Sequence, residues 1–167
     1  MSRLRLLVVG AVLMLSAFGA APEASALPRA LSGNGSGTLS NDTCPGSGAT
    51  CTATLNANIV AKFIGKSTLA LNLVIVTSGA DNGSGGTCST ATGSGQINTA
   101  NKSTITLNTV GAICNIGDSG TPMTYNATYF ISGGTLHFPA AAGTGLFAAS
   151  IDSGNNVIVT LSGGFIK

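Results

Sequence analysis

Few side chains in this chain have the means to do chemistry. His137 is its single histidine and the only side chain whose ordinary titration falls near neutrality. Its functional role would be a general acid or base; its structural role would be a residue at a surface or strand edge. Beyond residue 26 there is no glutamate. The four aspartates there, Asp42, Asp81, Asp118 and Asp152, sit in glycine-rich or turn-like stretches. A carboxylate in such a place usually binds its own backbone, so acid–base work by a carboxylate pair is not indicated. Serines abound, but no Gly-x-Ser-x-Gly elbow joins a strand to a helix. The stretch "DNGSGG" lacks the lysine and following helix of a phosphate loop. No catalytic residue is assigned, and none of these patterns implies a cofactor. Tyr125 and Tyr129 alternate with Met123, Ala127 and Ile131 in "PMTYNATYFIS". On one strand face they would either line an apolar ligand cavity, with hydroxyls to orient the guest, or serve as core aromatics.

The four cysteines, Cys44, Cys51, Cys88 and Cys114, permit three pairings. The segment between Cys88 and Cys114 folds in half about Asn101, so that Ile97 faces Ile105, Thr99 faces Ser103 and Cys88 meets Cys114. Opposed residues of an antiparallel pair come close enough for a disulfide. Cys44 and Cys51 then bracket the turn-rich "PGSGAT" and form the second bridge. Zinc is disfavoured, because the spacing is that of neither a finger nor a ribbon and His137 is remote. No metal site is expected.

Disulfides need an oxidising compartment, and the N-terminus supplies the address. Arg3 and Arg5 precede an apolar run from Leu6 to about Ala21, and "ASA" closes it. This reads as a signal peptide over residues 1–26, with secretion or periplasmic export as the outcome. What remains carries Arg29, Lys62, Lys66, Lys102 and Lys167 against the four aspartates, and is nearly neutral. A nucleic-acid partner is excluded by the lack of a basic stripe. An electrostatic partner is not expected.

The elements that must position these residues are strands. In "CTATLNANIVAKFIG", Leu55, Ala57, Ile59, Ala61 and Phe63 share one face, with Thr54, Asn56, Asn58 and Lys62 on the other. In "STLALNLVIVTSG", Leu69, Leu71, Leu73 and Ile75 oppose Ala70, Val74 and Val76, which predicts cover on both faces or a second chain. "LFAASID" and "NVIVTLSGGFI" flank the turn "SGNN". Together with "SGTLSND" near the start, about eight strands and no helix are predicted. The expected fold is all-β, an antiparallel eight-stranded barrel over residues 36–167, with 27–35 a flexible lead-in.

"GGTLHFPAAAGTGLF" resembles the C-terminal motif of the allene oxide cyclase and dirigent superfamily of β-barrels, including bacterial secreted members. Gly133, Gly134, Thr135, Phe138, Ala141, Gly143 and Gly145 match it, and His137 stands in its basic place. Leu136 departs from the usual glycine. The resemblance spans about the last quarter of the chain and implies the barrel, with Phe138 plugging one end and Phe138 and His137 joining the tyrosines as ligand-lining candidates. Relatives act on apolar substrates with inward carboxylates or polar groups, and no such carboxylate carries over here.

Three classes of function follow. The first is a barrel that encloses or binds a small apolar molecule, without demonstrable catalysis or with a cyclase or dirigent-type isomerisation. The second is a self-associating extracellular or surface structural protein, a homo-oligomer suggested by the low charge and two-sided apolar strands. The third, a small outer-membrane barrel, is disfavoured because Trp is absent and Tyr scarce where aromatic girdles would be needed, so a membrane partner is not expected.

Overall fold

In the computed structural model, residues 29–43, 50–81, 87–116 and 122–165 are described. The strands are β1 (Arg29–Thr43), β2 (Thr50–Ala61), β3 (Gly65–Asp81), β4 (Thr87–Thr99), β5 (Thr104–Cys114), β6 (Met123–Gly134), β7 (Gly143–Ile151) and β8 (Asn156–Phe165). Each pairs antiparallel with the next, and β8 pairs with β1 to close the barrel. Closure leaves no unpaired strand edge.

Period-two patterning sets the walls. Leu55, Ala57, Ile59 and Ala61 point inward from β2, and Leu69, Leu71, Leu73 and Ile75 from β3, all buried. The alternate positions, such as Thr52, Asn56, Asn58, Thr68, Thr90 and Thr92, face out. An apolar interior inside a hydroxyl- and amide-rich wall inverts the polarity that a bilayer-spanning barrel needs.

Phe63 was expected on the inward face of β2; instead it stands exposed in the β2–β3 turn with φ 72°. The strand stops at Ala61, so its alternation does not carry into the turn. The lead-in differs as well. From Arg29 onward the segment expected to be flexible is strand, and the barrel begins there rather than at residue 36. Small inward residues make this possible: a Cβ at Gly37 would overlap the backbone of Asn56 and Ala57, so β1 sits tight against β2. Residues 1–28, including the expected signal peptide, lie outside the described residues.

Cys88 lies opposite Cys114, and the two form a disulfide with Cα atoms 4.0 Å apart. Ile97 faces Ile105, and Thr99 N–H donates to the Ser103 carbonyl at the hairpin tip. The predicted β4–β5 register is therefore the observed one. Cys51 is also disulfide-bonded, while Cys44 lies outside the described residues. A disulfide suits a non-reducing environment.

Candidate functional site: the plugged end and the tyrosine interior

Connections in an antiparallel meander alternate between the two ends of the barrel. The β2–β3, β4–β5 and β6–β7 connections share one end, where β1 starts and β8 finishes. The β6–β7 loop folds across this end. Phe138 N–H donates to the Thr135 carbonyl and Ala141 N–H to that of Phe138, two successive tight turns. They carry the Phe138 ring inward, buried, to an edge-on contact with Phe165 at 5.7 Å. Gly134 is needed beneath it, because a Cβ there would overlap the Thr104 carbonyl and crowd Phe138. The plug inferred from the sequence is the observed arrangement. Leu136, where glycine would be usual, adopts φ 53° and is 68% exposed.

Below the plug lie the two tyrosines, both from β6 and both buried. Tyr125 donates to Thr109 Oγ1 at 2.7 Å and packs its ring 5.6 Å from that of Phe147. Tyr129 lies against β7 and β8, where a Cβ on Gly145 would come within 2.5 Å of its hydroxyl oxygen and one on Gly163 within 2.7 Å. The two glycines thus supply the space its ring occupies. The Tyr129 hydroxyl has no hydrogen-bond partner among the described residues. Burial pushes both phenols above their usual range, offset in part for Tyr125 by the bond to Thr109. Both therefore remain neutral at ordinary pH and can donate a hydrogen bond.

Of the four sequence-predicted lining residues, Tyr125, Tyr129 and Phe138 point into the barrel and His137 does not. His137 is exposed, and its backbone N–H reaches Ser103 Oγ at 3.5 Å. Its side chain cannot act on a molecule held inside. Asp152 serves its own turn, accepting from the Gly154 and Asn156 N–H groups at 2.8 Å each and from Asn156 Nδ2 at 2.9 Å. Those bonds, with the Asn156 side chain foremost, hold its carboxyl below the usual range. Among the described residues no group of three or more His, Cys, Asp or Glu could hold a metal ion.

The outer wall carries grooves that the sequence reading did not anticipate. One of about 510 Å³ runs beside the plugged end between β2, β3 and β4, with Asn58, Val60, Lys66, Thr68 and Asn98 in its lining. Another, of about 430 Å³, crosses β5, β6 and β7 past Val110 and Leu146. Cross-strand register makes them: Val110, Thr128 and Leu146 are successive partners in one outward row. That register could have been read only after every strand was placed. Comparison with protein families, with characterised proteins and with solved structures finds no match for this chain.

Proposed function

We propose that this protein is a non-catalytic binding barrel that takes one small, mostly apolar molecule into its interior, in a compartment that permits disulfides. The observation that carries the reading is the Tyr129 hydroxyl, buried and without a hydrogen-bond partner among the described residues, in a mainly apolar core. Leaving such a group unsatisfied costs about 1–3 kcal/mol. A guest bearing a carbonyl or ether oxygen would accept its hydrogen bond and remove that cost. The resemblance of "GGTLHFPAAAGTGLF" to the allene oxide cyclase and dirigent barrels supports the same reading, because those relatives handle apolar molecules. Isomerase chemistry is not part of the proposal, since His137 faces outward and no carboxylate shares the tyrosine interior among the described residues.

The test is native mass spectrometry of protein purified gently from its own source, together with its Tyr129→Phe variant. One apolar molecule per wild-type chain, lost from the variant, is the expected result. A protein that carries no guest, and whose variant simply melts higher, would overturn the reading. A second reading, self-association, is favoured by the outward Val74 and Val76 of β3, 42% and 50% exposed, and by the Val110–Leu146 groove. Ligand-free oligomers in the same spectra would select it.

A further inference from the structure

The fold sorts the charges that the sequence interleaves. Arg29 opens β1, Lys62 lies in the β2–β3 turn, Lys66 is the second residue of β3, Lys102 lies in the β4–β5 turn and His137 in the β6–β7 loop. All five are exposed, and all lie at the plugged end. The three described aspartates occupy the opposite end. Asp42 lies one residue before the end of β1, Asp81 closes β3 and Asp152 lies in the β7–β8 turn, while Asp118 lies outside the described residues. Even the shortest strand has nine residues, which at about 3.4 Å per residue and a typical tilt separates the ends by more than ~20 Å. Screening at physiological salt acts over about 8 Å, so a surface approaching the plugged end meets four fixed positive charges rather than a near-neutral molecule.

The same end carries exposed apolar tips. Phe63 is 45% exposed, with the Arg29 guanidinium 5.2 Å and Lys62 Nζ 5.4 Å from its ring centroid. Leu136 projects from the β6–β7 loop. Both hold φ angles, 72° and 53°, at which glycine or asparagine would fit without strain. Folding alone would not choose phenylalanine and leucine there. At the acidic end, the described β7–β8 turn, Asp152-Ser153-Gly154-Asn155, has no apolar residue.

We propose that the plugged end docks on an anionic lipid bilayer, with Phe63 and Leu136 entering the interface while Arg29, Lys62, Lys66 and Lys102 meet the headgroups. The acidic end, repelled, fixes the barrel axis away from the surface. The molecule rests on the membrane and does not span it, and this holds whether or not the interior binds a guest. A cationic cluster with apolar tips is the combination that gives peripheral attachment.

The test is co-flotation of the chain from residue 27, which contains all eight strands of the closed barrel, with phosphatidylcholine vesicles and with 7:3 phosphatidylcholine:phosphatidylglycerol vesicles. At least ten-fold preference for the anionic vesicles, abolished by 0.5 M salt, is expected. The double variant Lys62→Gln/Lys102→Gln should lose roughly 25-fold, at about five-fold per basic residue. Phe63→Asn, whose side chain tolerates the positive φ and so should not impair folding, should lose roughly ten-fold through the missing apolar anchor. Equal binding to both vesicles, no binding, or undiminished binding by folded Phe63→Asn would overturn the proposal. Salt-sensitive oligomers in sedimentation velocity, without vesicle binding, would overturn it in favour of head-to-tail pairing of copies.

Discussion

Phe138 and Leu136, two residues apart in one loop, have opposite relations to the fold. Phe138 is buried against Phe165, and truncation to alanine should cost about 3–5 kcal/mol, read as a lowered thermal midpoint. An unchanged midpoint would remove the plug. Leu136 is exposed in a left-handed conformation, so Leu136→Gly should raise stability by up to about 1 kcal/mol, and if the end docks on lipid it should weaken that docking. The two tyrosines offer a clean probe because the chain has no others. Burial raises both phenols, so the folded form keeps protons that the unfolded chain releases near pH 10. Stability is then fully present below about pH 10 and falls as pH rises further. Tyrosinate absorbance at 295 nm should accordingly appear only together with unfolding. Ionisation near pH 10 with the barrel intact would contradict the burial of both rings.

Among the elements, the β4–β5 hairpin was the most legible, because its two halves mirror each other about Asn101 and end on cysteines. The Asn101 side chain accepts from Thr99 Oγ1 and, at 3.3 Å, from the Ser103 N–H, tying the tip while the Cys88–Cys114 bridge ties the other end. The bridge closes a segment with a sequence separation of 26 residues. By chain entropy, Cys88→Ala/Cys114→Ala should destabilise the barrel by about 3 kcal/mol in chemical denaturation. A loss below about 1 kcal/mol would mean the hairpin is held by pairing alone. β1 was the least legible element. Its alternating Gly33, Gly35 and Gly37 give almost no hydrophobic signal, and their value emerges only where β2 packs close beside them.

At the scale of the whole molecule, stability rests on closure. β1 reaches β8 across most of the chain, pairing Leu31 with Gly163 and Gly37 with Val157. Removing residues 156–167 would expose the edges of β1 and β7 and delete Val157, Val159, Leu161 and Phe165 from the core. The truncated chain should show no cooperative thermal transition by circular dichroism, and a sharp melt would show that an open sheet suffices. The charge division between the ends is also a property of this scale. It depends on which connections fall at which end, and a shift of one strand would scatter it.

The sequence by itself determined the all-β class, the inward and outward faces within β2, β3 and β6, and the β4–β5 register with its disulfide. These are local facts, readable from period-two alternation, glycine-rich turns and cysteine spacing, because each depends on neighbours along the chain. Only the tertiary structure decided that β1 begins at Arg29, that the Tyr129 hydroxyl has no hydrogen-bond partner among the described residues, that Phe63 and His137 face solvent, and that the described cations and aspartates part to opposite ends. Each of these depends on residues brought together by closure. A linear reading averages the charges to near zero, whereas an antiparallel barrel sends successive connections to alternate ends and separates them.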